Sequence, residues 1–129
     1  MSDPSNTPYE ALGGEEVLSK LIDTFYSHVS NHTLLSDLFP KDLTETAYKQ
    51  KQFMTQFLGG PSLYTEEFGH PMLRARHLPF PITEKHADAW LDCMQKALDE
   101  MEVDQIVRNY MMERLTLTAH HMVNQPTAP

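Results

Sequence analysis

The stretch from residue 59 to 83, GGPSLYTEEFGHPMLRARHLPFPIT, sets three glycines and four prolines in the middle of the chain. Proline fixes its own backbone dihedral and lacks an amide hydrogen, so neither a long helix nor a central strand crosses such a run. The long regular elements must lie on either side of it. Upstream, Val17, Leu18, Leu21, Ile22, Phe25, Tyr26 and Val29 recur at helical spacing and predict a helix over 15–29. Gly13 and Gly14 divide it from a short turn at 9–12, and His32 to Phe39 reads as a brief helical turn stopped by Pro40. A second long helix is expected over 44–58, ended by Gly59, Gly60 and Pro61. Downstream, Thr83 is a candidate N-cap with Glu84 in the first turn. Ala87, Trp90, Leu91, Met94, Ala97, Leu98 and Met101 carry that helix onward as an apolar stripe. A last helix spans about 104–123 through Ile106, Val107, Tyr110, Met111, Leu115, Thr118 and Met122. No segment alternates with the period of a strand. The fold class is all-α, with four substantial helices. The stretch 59–83 is expected to be irregular, apart from about one and a half turns at 72–77. Irregular loops of that length are usually functional.

With 129 residues, 40% of them hydrophobic, the chain suffices for a single domain, 1–129, with its own core. Residues 1–8 and 125–129 are rich in Pro, Ser, Thr and Asn and read as flexible tails. A net charge of −8 argues against nucleic acid and anionic membrane surfaces as partners, since both require a basic face. No apolar run reaches the length of a membrane span, and MSDPSNTPYE lacks the basic and apolar regions of a secretory signal. Cys93 is the sole cysteine, which excludes an intrachain disulfide and suits a reducing cytoplasm. Against this acidic background, Phe68 to Thr83 carries His70, Arg74, Arg76 and His77 and no carboxylate. An imidazole beside guanidiniums suits a dianionic ligand that carries a metal.

Individually, the residues capable of chemistry have two readings each. Gln50 shares a helical stripe with Thr46, Phe53 and Phe57, where its amide must find a partner or be desolvated at a cost of about 1–3 kcal/mol. It either bonds backbone or meets a ligand. Tyr26 stands on the apolar face of its helix, and its hydroxyl bonds either a carbonyl or a ligand. Trp90 is either a core anchor or a donor into a cavity. His77 is either a satisfied histidine or a metal ligand. The other histidines lack metal-binding spacing, since His120 and His121 are adjacent and diverge by about 100° on a helix. Cys93 has no CxxC companion and reads as a buried structural thiol.

Taken together, DTFYSHV, LLSDLFP, the run from KQKQFMTQF through RARHLPFPIT, DAWLDCM and LTAHHMVN stand in an order that resembles the truncated haemoglobins, specifically their second or "O" group. The resemblance extends from PYEALGG to HHMVNQ. It implies a shortened globin, with two helix pairs packed two-on-two around a non-covalent b-type haem, and with the loose segment in place of a full proximal helix. It implies that His77 is the proximal iron ligand, and that Tyr26, Gln50 and Trp90 are donors toward a bound diatomic ligand. Thr46 matches a gate position and Phe39 a position near the haem edge. Arg76 and Lys49 match positions approaching the propionates, with Arg74 as a helper. Phe53, Phe57, Phe80, Ile82 and Met94 are the expected apolar lining. Two departures from many relatives matter: Phe39 stands in place of a tyrosine, and Gln50 in place of an apolar residue. CxxCH, the signature of covalent haem attachment, is absent.

On this basis the expected function is high-affinity, reversible dioxygen binding at ferrous haem with slow release, serving redox or detoxification chemistry. Nitric oxide dioxygenation and peroxide reduction both fit, and either requires an external reductase. The alternatives are a gas sensor or carrier without catalysis and a haem-free helical adaptor. Dioxygen and other diatomic gases are the expected ligands, and the protein is expected to be a monomer or dimer.

Overall fold

A computed structural model describes residues 7–125, and among them every regular element is helical. Most of both expected tails therefore lies outside the described residues, but residues 7 and 8 belong to the fold. Thr7 caps helix α1 (Pro8–Leu12) by accepting a hydrogen bond from the Glu10 amide at 3.1 Å, and Pro8 occupies the first turn, where a missing N–H costs nothing. The Tyr9 amide donates to Leu58 O at 2.9 Å, tying α1 to the end of α3 (Thr44–Phe57). Gly13, at φ +125°, makes the corner into α2 (Gly14–Ser30). A Cβ at Gly13 would overlap the Val17 side chain, so both conformation and space select glycine.

Helix α2 buries Leu18, Leu21, Ile22, Phe25, Tyr26 and Val29, the face its sequence spacing predicts. It packs most extensively on α6 (Glu84–Glu100), which in turn packs on α7 (Gln105–His121). Phe25, Met94, Leu98, Met111 and Leu115 are almost wholly excluded from solvent at the centre of this frame. Each such side chain contributes about 1.5–3 kcal/mol relative to exposure. Thr83 caps α6 as expected: its Oγ1 accepts from the His86 amide at 3.3 Å, and the Thr83 amide donates to His86 Nδ1 at 3.0 Å. At the next corner, Arg108 donates to Asp99 and to the carbonyls of Leu98 and Val103, locking α7 onto the end of α6.

Between α3 and α6 the structure corrects one expectation. Residues 59–83 are less irregular than the breakers imply, because α4 (Leu63–Phe68) forms between Ser62 and Gly69. Gln56 receives it, accepting from the Thr65 amide and donating to Thr65 Oγ1, both at 2.9 Å, and Tyr64 is buried. Tyr48 also donates to Glu67 at 2.5 Å. The breakers frame this helix instead of preventing it. After it, Met72 turns the chain at φ 42° into α5 (Leu73–His77), which buries no residue completely. At 32–39 the brief turn is a 3-10 helix over Ser36–Leu38.

Gly13→Ala is expected to lower unfolding free energy by about 1–3 kcal/mol, because strain and overlap add. Equilibrium urea unfolding with an unchanged m-value would register it. Cys93 lies in the core at 1% exposure, and burial raises its thiol pKa, with Asp92 adding to the rise. It should therefore resist thiol reagents at pH 8 in the native protein and react promptly in denaturant, an outcome that a colorimetric thiol assay reads directly.

Candidate functional site

A cavity of about 550 Å³ lies where α2, α3, α5, α6 and α7 converge. Its walls explain why α3 buries so little: only Met54 and Thr55 of that helix are fully enclosed, while Thr46, Lys49, Gln50 and Phe53 face the cavity. The cavity also brings together Tyr26 from α2, Phe39 before Pro40, Arg76 and His77 from α5, Phe80 and Ile82 from the following loop, and Trp90 from α6. Met94 is not among the lining residues. It lies one turn beyond Trp90 at 0% exposure in the apolar core, because α6 presents its broad apolar face partly to the cavity and partly to the helices behind it. Phe57 likewise stands outside, 5.5 Å from Phe53 between ring centroids and 5.7 Å from the Arg114 guanidinium. Arg74 turns away to donate to the carbonyls of His121 at 3.2 Å and Val123 at 3.0 Å, which removes it as a helper at the cavity.

Several lining residues were not anticipated as such. Leu115, Thr118 and Ala119 of α7, with Met122 just beyond its end, form one wall, and Tyr64 of α4 another. The α7 stripe is visible in the sequence at helical spacing, but the same spacing describes a residue facing a packed core. Tyr64 was hidden by the misreading of α4.

The imidazole of His77 is half-buried, and its Nδ1 lies 2.6 Å from Leu73 O. A carbonyl only accepts, so Nδ1 carries the hydrogen and Nε2 keeps its free lone pair, the tautomer of a metal ligand. Among the described residues no group of three His, Cys, Asp or Glu side chains is placed to hold a metal ion. One imidazole alone does not retain a bare ion. It suits a metal that brings its other ligands with it inside a flat apolar group, and an apolar cavity of this size with cations at its edge accepts such a group.

Those cations keep donors to spare. Arg76 uses Nη2 for the carbonyls of Phe68 and His70, both at 3.2 Å, and lies 5.6 Å from the Tyr64 ring centroid. Lys49 pairs with Glu45 at 3.1 Å and lies 5.5 Å from the Phe68 ring centroid.

The polar side chains on the cavity wall are the unusual feature. Tyr26 is only 6% exposed, yet neither its hydroxyl, nor the Gln50 amide, nor Trp90 Nε1 has a hydrogen-bond partner among the described residues. Tyr26 and Trp90 are held by aromatic contact instead. Phe25 meets Tyr26 and Trp90 edge-on, with centroids 4.9 Å from each, and Tyr26 meets Phe39 at 6.0 Å. The polar atoms of Tyr26, Gln50 and Trp90 are open to the cavity and free to meet whatever occupies it, since among the described residues Arg108 Nε is the buried side-chain atom left without a partner.

The family profile of bacterial-like globins matches residues 7–124. The chain belongs to the bacterial-like globin family. This globin is 62% identical to the group 2 truncated haemoglobin YjbI of Bacillus subtilis, over 99% of its own length and 96% of that protein's. It superposes on the crystal structure of the group II truncated haemoglobin from Bacillus anthracis with a TM-score of 0.93 at 64% identity, covering 95% of this chain and 94% of that one. A truncated oxygen-avid haemoglobin from Bacillus subtilis superposes with a TM-score of 0.90 at 65% identity, covering 92% and 100%. The helical frame is thus the two-on-two arrangement of truncated globins, as the sequence resemblance implied. No helix among the described residues is long and apolar enough to cross a membrane.

Burial in this globin raises the Tyr26 pKa well above its ordinary value of 10.0. Ionisation is therefore easier in the unfolded chain, so the contribution of Tyr26 is fully present below pH 10 and is lost as pH climbs beyond it. Alkaline unfolding curves should show stability falling above pH 10, with a shallower fall in Tyr26→Phe.

Proposed function

We propose that the cavity holds a non-covalent b-type haem through His77 and binds dioxygen with high affinity and slow release. The supporting observation is the assembly of Tyr26, Gln50 and Trp90, three unpaired donors from three helices, in the cavity that His77 also lines. Haem, when bound, supplies the iron at which diatomic gases bind and electrons are exchanged. Arg76 and Lys49 offer their remaining N–H groups to its carboxylates, while Phe53, Phe80 and Ile82 provide apolar contact. Thr46, a small side chain on the wall, leaves a route for gas entry.

Tyr26, Gln50 and Trp90 then act on the gas itself. Dioxygen draws electron density as it binds and accepts hydrogen bonds well, whereas carbon monoxide stays near neutral and gains little. Because Tyr26 and Trp90 are held in advance by Phe25 and Phe39, little of their side-chain entropy is lost when they engage. The Tyr26 phenol is protonated throughout the physiological range, as a donor must be, and burial only strengthens that state. One hydrogen bond to a charged acceptor contributes about 1.5–3 kcal/mol, which slows release by roughly tenfold to a hundredfold.

Slow release suits consumption of the gas better than delivery. Nitric oxide and dioxygen combine with one electron to give nitrate, and peroxide reduction to water takes two electrons and two protons. In either chemistry the electrons come from a separate reductase. The same name, oxygen-avid, is carried by the Bacillus subtilis relative.

Stopped-flow measurement of oxygen dissociation from the reduced, haem-loaded protein tests this reading. Wild type should release oxygen slowly and Trp90→Phe at least about tenfold faster. Carbon monoxide dissociation should change far less. Equal, fast oxygen release from both proteins would remove the hydrogen-bonding role of Trp90 and the redox reading with it.

A further inference from the structure

The segment that carries His77 is attached to the body of the protein in an unusual way. Helix α5 has no fully buried residue; Arg74, Ala75 and Arg76 are exposed, and Leu73 and His77 are only half-buried. Apolar packing therefore does little to hold it. Hydrogen bonds from the end of α7 take that role. The Asn124 side chain reaches back to the loop after His77: its Nδ2 donates to Phe80 O at 2.8 Å and to His77 O at 3.2 Å, and its Oδ1 accepts from the Ile82 amide at 3.0 Å. The backbone amides of Asn124 and Gln125 both donate to Ile82 O, at 2.9 and 3.1 Å. Two carbonyls and one amide admit only one orientation of the carboxamide, so the contact is selective for asparagine. In the reverse direction, Arg74 donates to the carbonyls of His121 and Val123. His77 is thus held at its ring by Leu73 O and at its own carbonyl both by the Phe80 amide, at 3.0 Å, and by Asn124, the side chain that reaches it from the far end of the chain.

We propose that Asn124 is a positioning residue for the proximal ligand: its carboxamide fixes the His77 backbone and so sets where the imidazole points and how firmly it holds the iron. This rests on the reading of His77 as the haem ligand. No other single side chain in residues 7–125 bonds both His77 and the loop that follows it. Removing the amide donor leaves only local backbone contacts, Leu73 O at the ring and the Phe80 amide at the His77 carbonyl, and unties both from the end of the chain, so that the imidazole tilts with α5.

The test uses ferrous, ligand-free, haem-loaded protein. The iron–histidine stretching band is recorded by resonance Raman, and haem transfer to excess apomyoglobin is followed in parallel. Asn124→Ala should shift and broaden the band and speed haem transfer roughly tenfold, equivalent to about 1.4 kcal/mol. Asn124→Asp should do more, because a carboxylate oxygen then faces two carbonyls. Arg74→Ala, a surface change that leaves the core intact, should move both readouts in the same direction by less. Gly13→Ala, remote from this contact, should lower stability and leave the band in place. A band and transfer rate unchanged in both Asn124 variants would overturn the proposal, as would an equal shift in Gly13→Ala. Absence of the band in wild type would instead overturn the assignment of His77 itself, and the positioning role with it.

Discussion

A protein interior normally packs as densely as an organic crystal, and keeping about 550 Å³ open within a 129-residue chain is the constraint from which the rest of this structure follows. The wall atoms forgo contacts they would otherwise make, so the surrounding frame must be stable enough to resist collapse. The contact of α2 with α6, and of α6 with α7, meets that requirement. Phe25, Met94, Leu98 and Met111 lie within it at near-zero exposure. Phe25 belongs to this core and also braces the rings of Tyr26 and Trp90, so the packed side of the wall determines the geometry of the open side.

Helices α2 and α3 divide their labour accordingly. Helix α2 spends its apolar face on the core and contributes Tyr26 at the margin, whereas α3 spends its face on the cavity and gains few buried residues in return. Side-chain bonds to its neighbours compensate. Gln56 grips α4, Lys51 bonds Glu15 on α2 at 3.0 Å, and the Tyr9 amide ties α1 to Leu58. Exposed ion pairs such as Lys51 with Glu15 contribute little individually, about 0.2–1 kcal/mol, so the carboxamide and backbone contacts carry more of the burden.

Charge is distributed with the same economy. The carboxylate-free run from Phe68 to Thr83 lies along one side of the cavity, where Arg76 contributes both structure and residual donor capacity, while the net charge of −8 is carried elsewhere. Arg74, its neighbour in sequence, serves a different purpose, because on a short helix residues two apart point in different directions. The attachment of α5 to the end of α7 is polar, so His77 stands on a segment held by hydrogen bonds more than by packed apolar contacts.

Read from the amino acids alone, the all-α class, the four long helices and the Thr83 cap were legible, because helical periodicity and capping chemistry are local. The short helix at Leu63–Phe68 was not, because what stabilises it is Gln56 on another helix and the burial of Tyr64, neither of which leaves a local signal. Motif order marked Tyr26, Gln50, His77 and Trp90 as a set, yet Met94 shares the stripe of Trp90 and only the structure shows it facing the core. Arg74 and Asn124 make the same point in opposite directions, one leaving the cavity and one reaching the backbone of His77 from the far end of the chain. Periodicity determines which face of a helix is apolar. What that face meets, a packed core or an open cavity, depends on partners remote in sequence and was decided by tertiary structure alone.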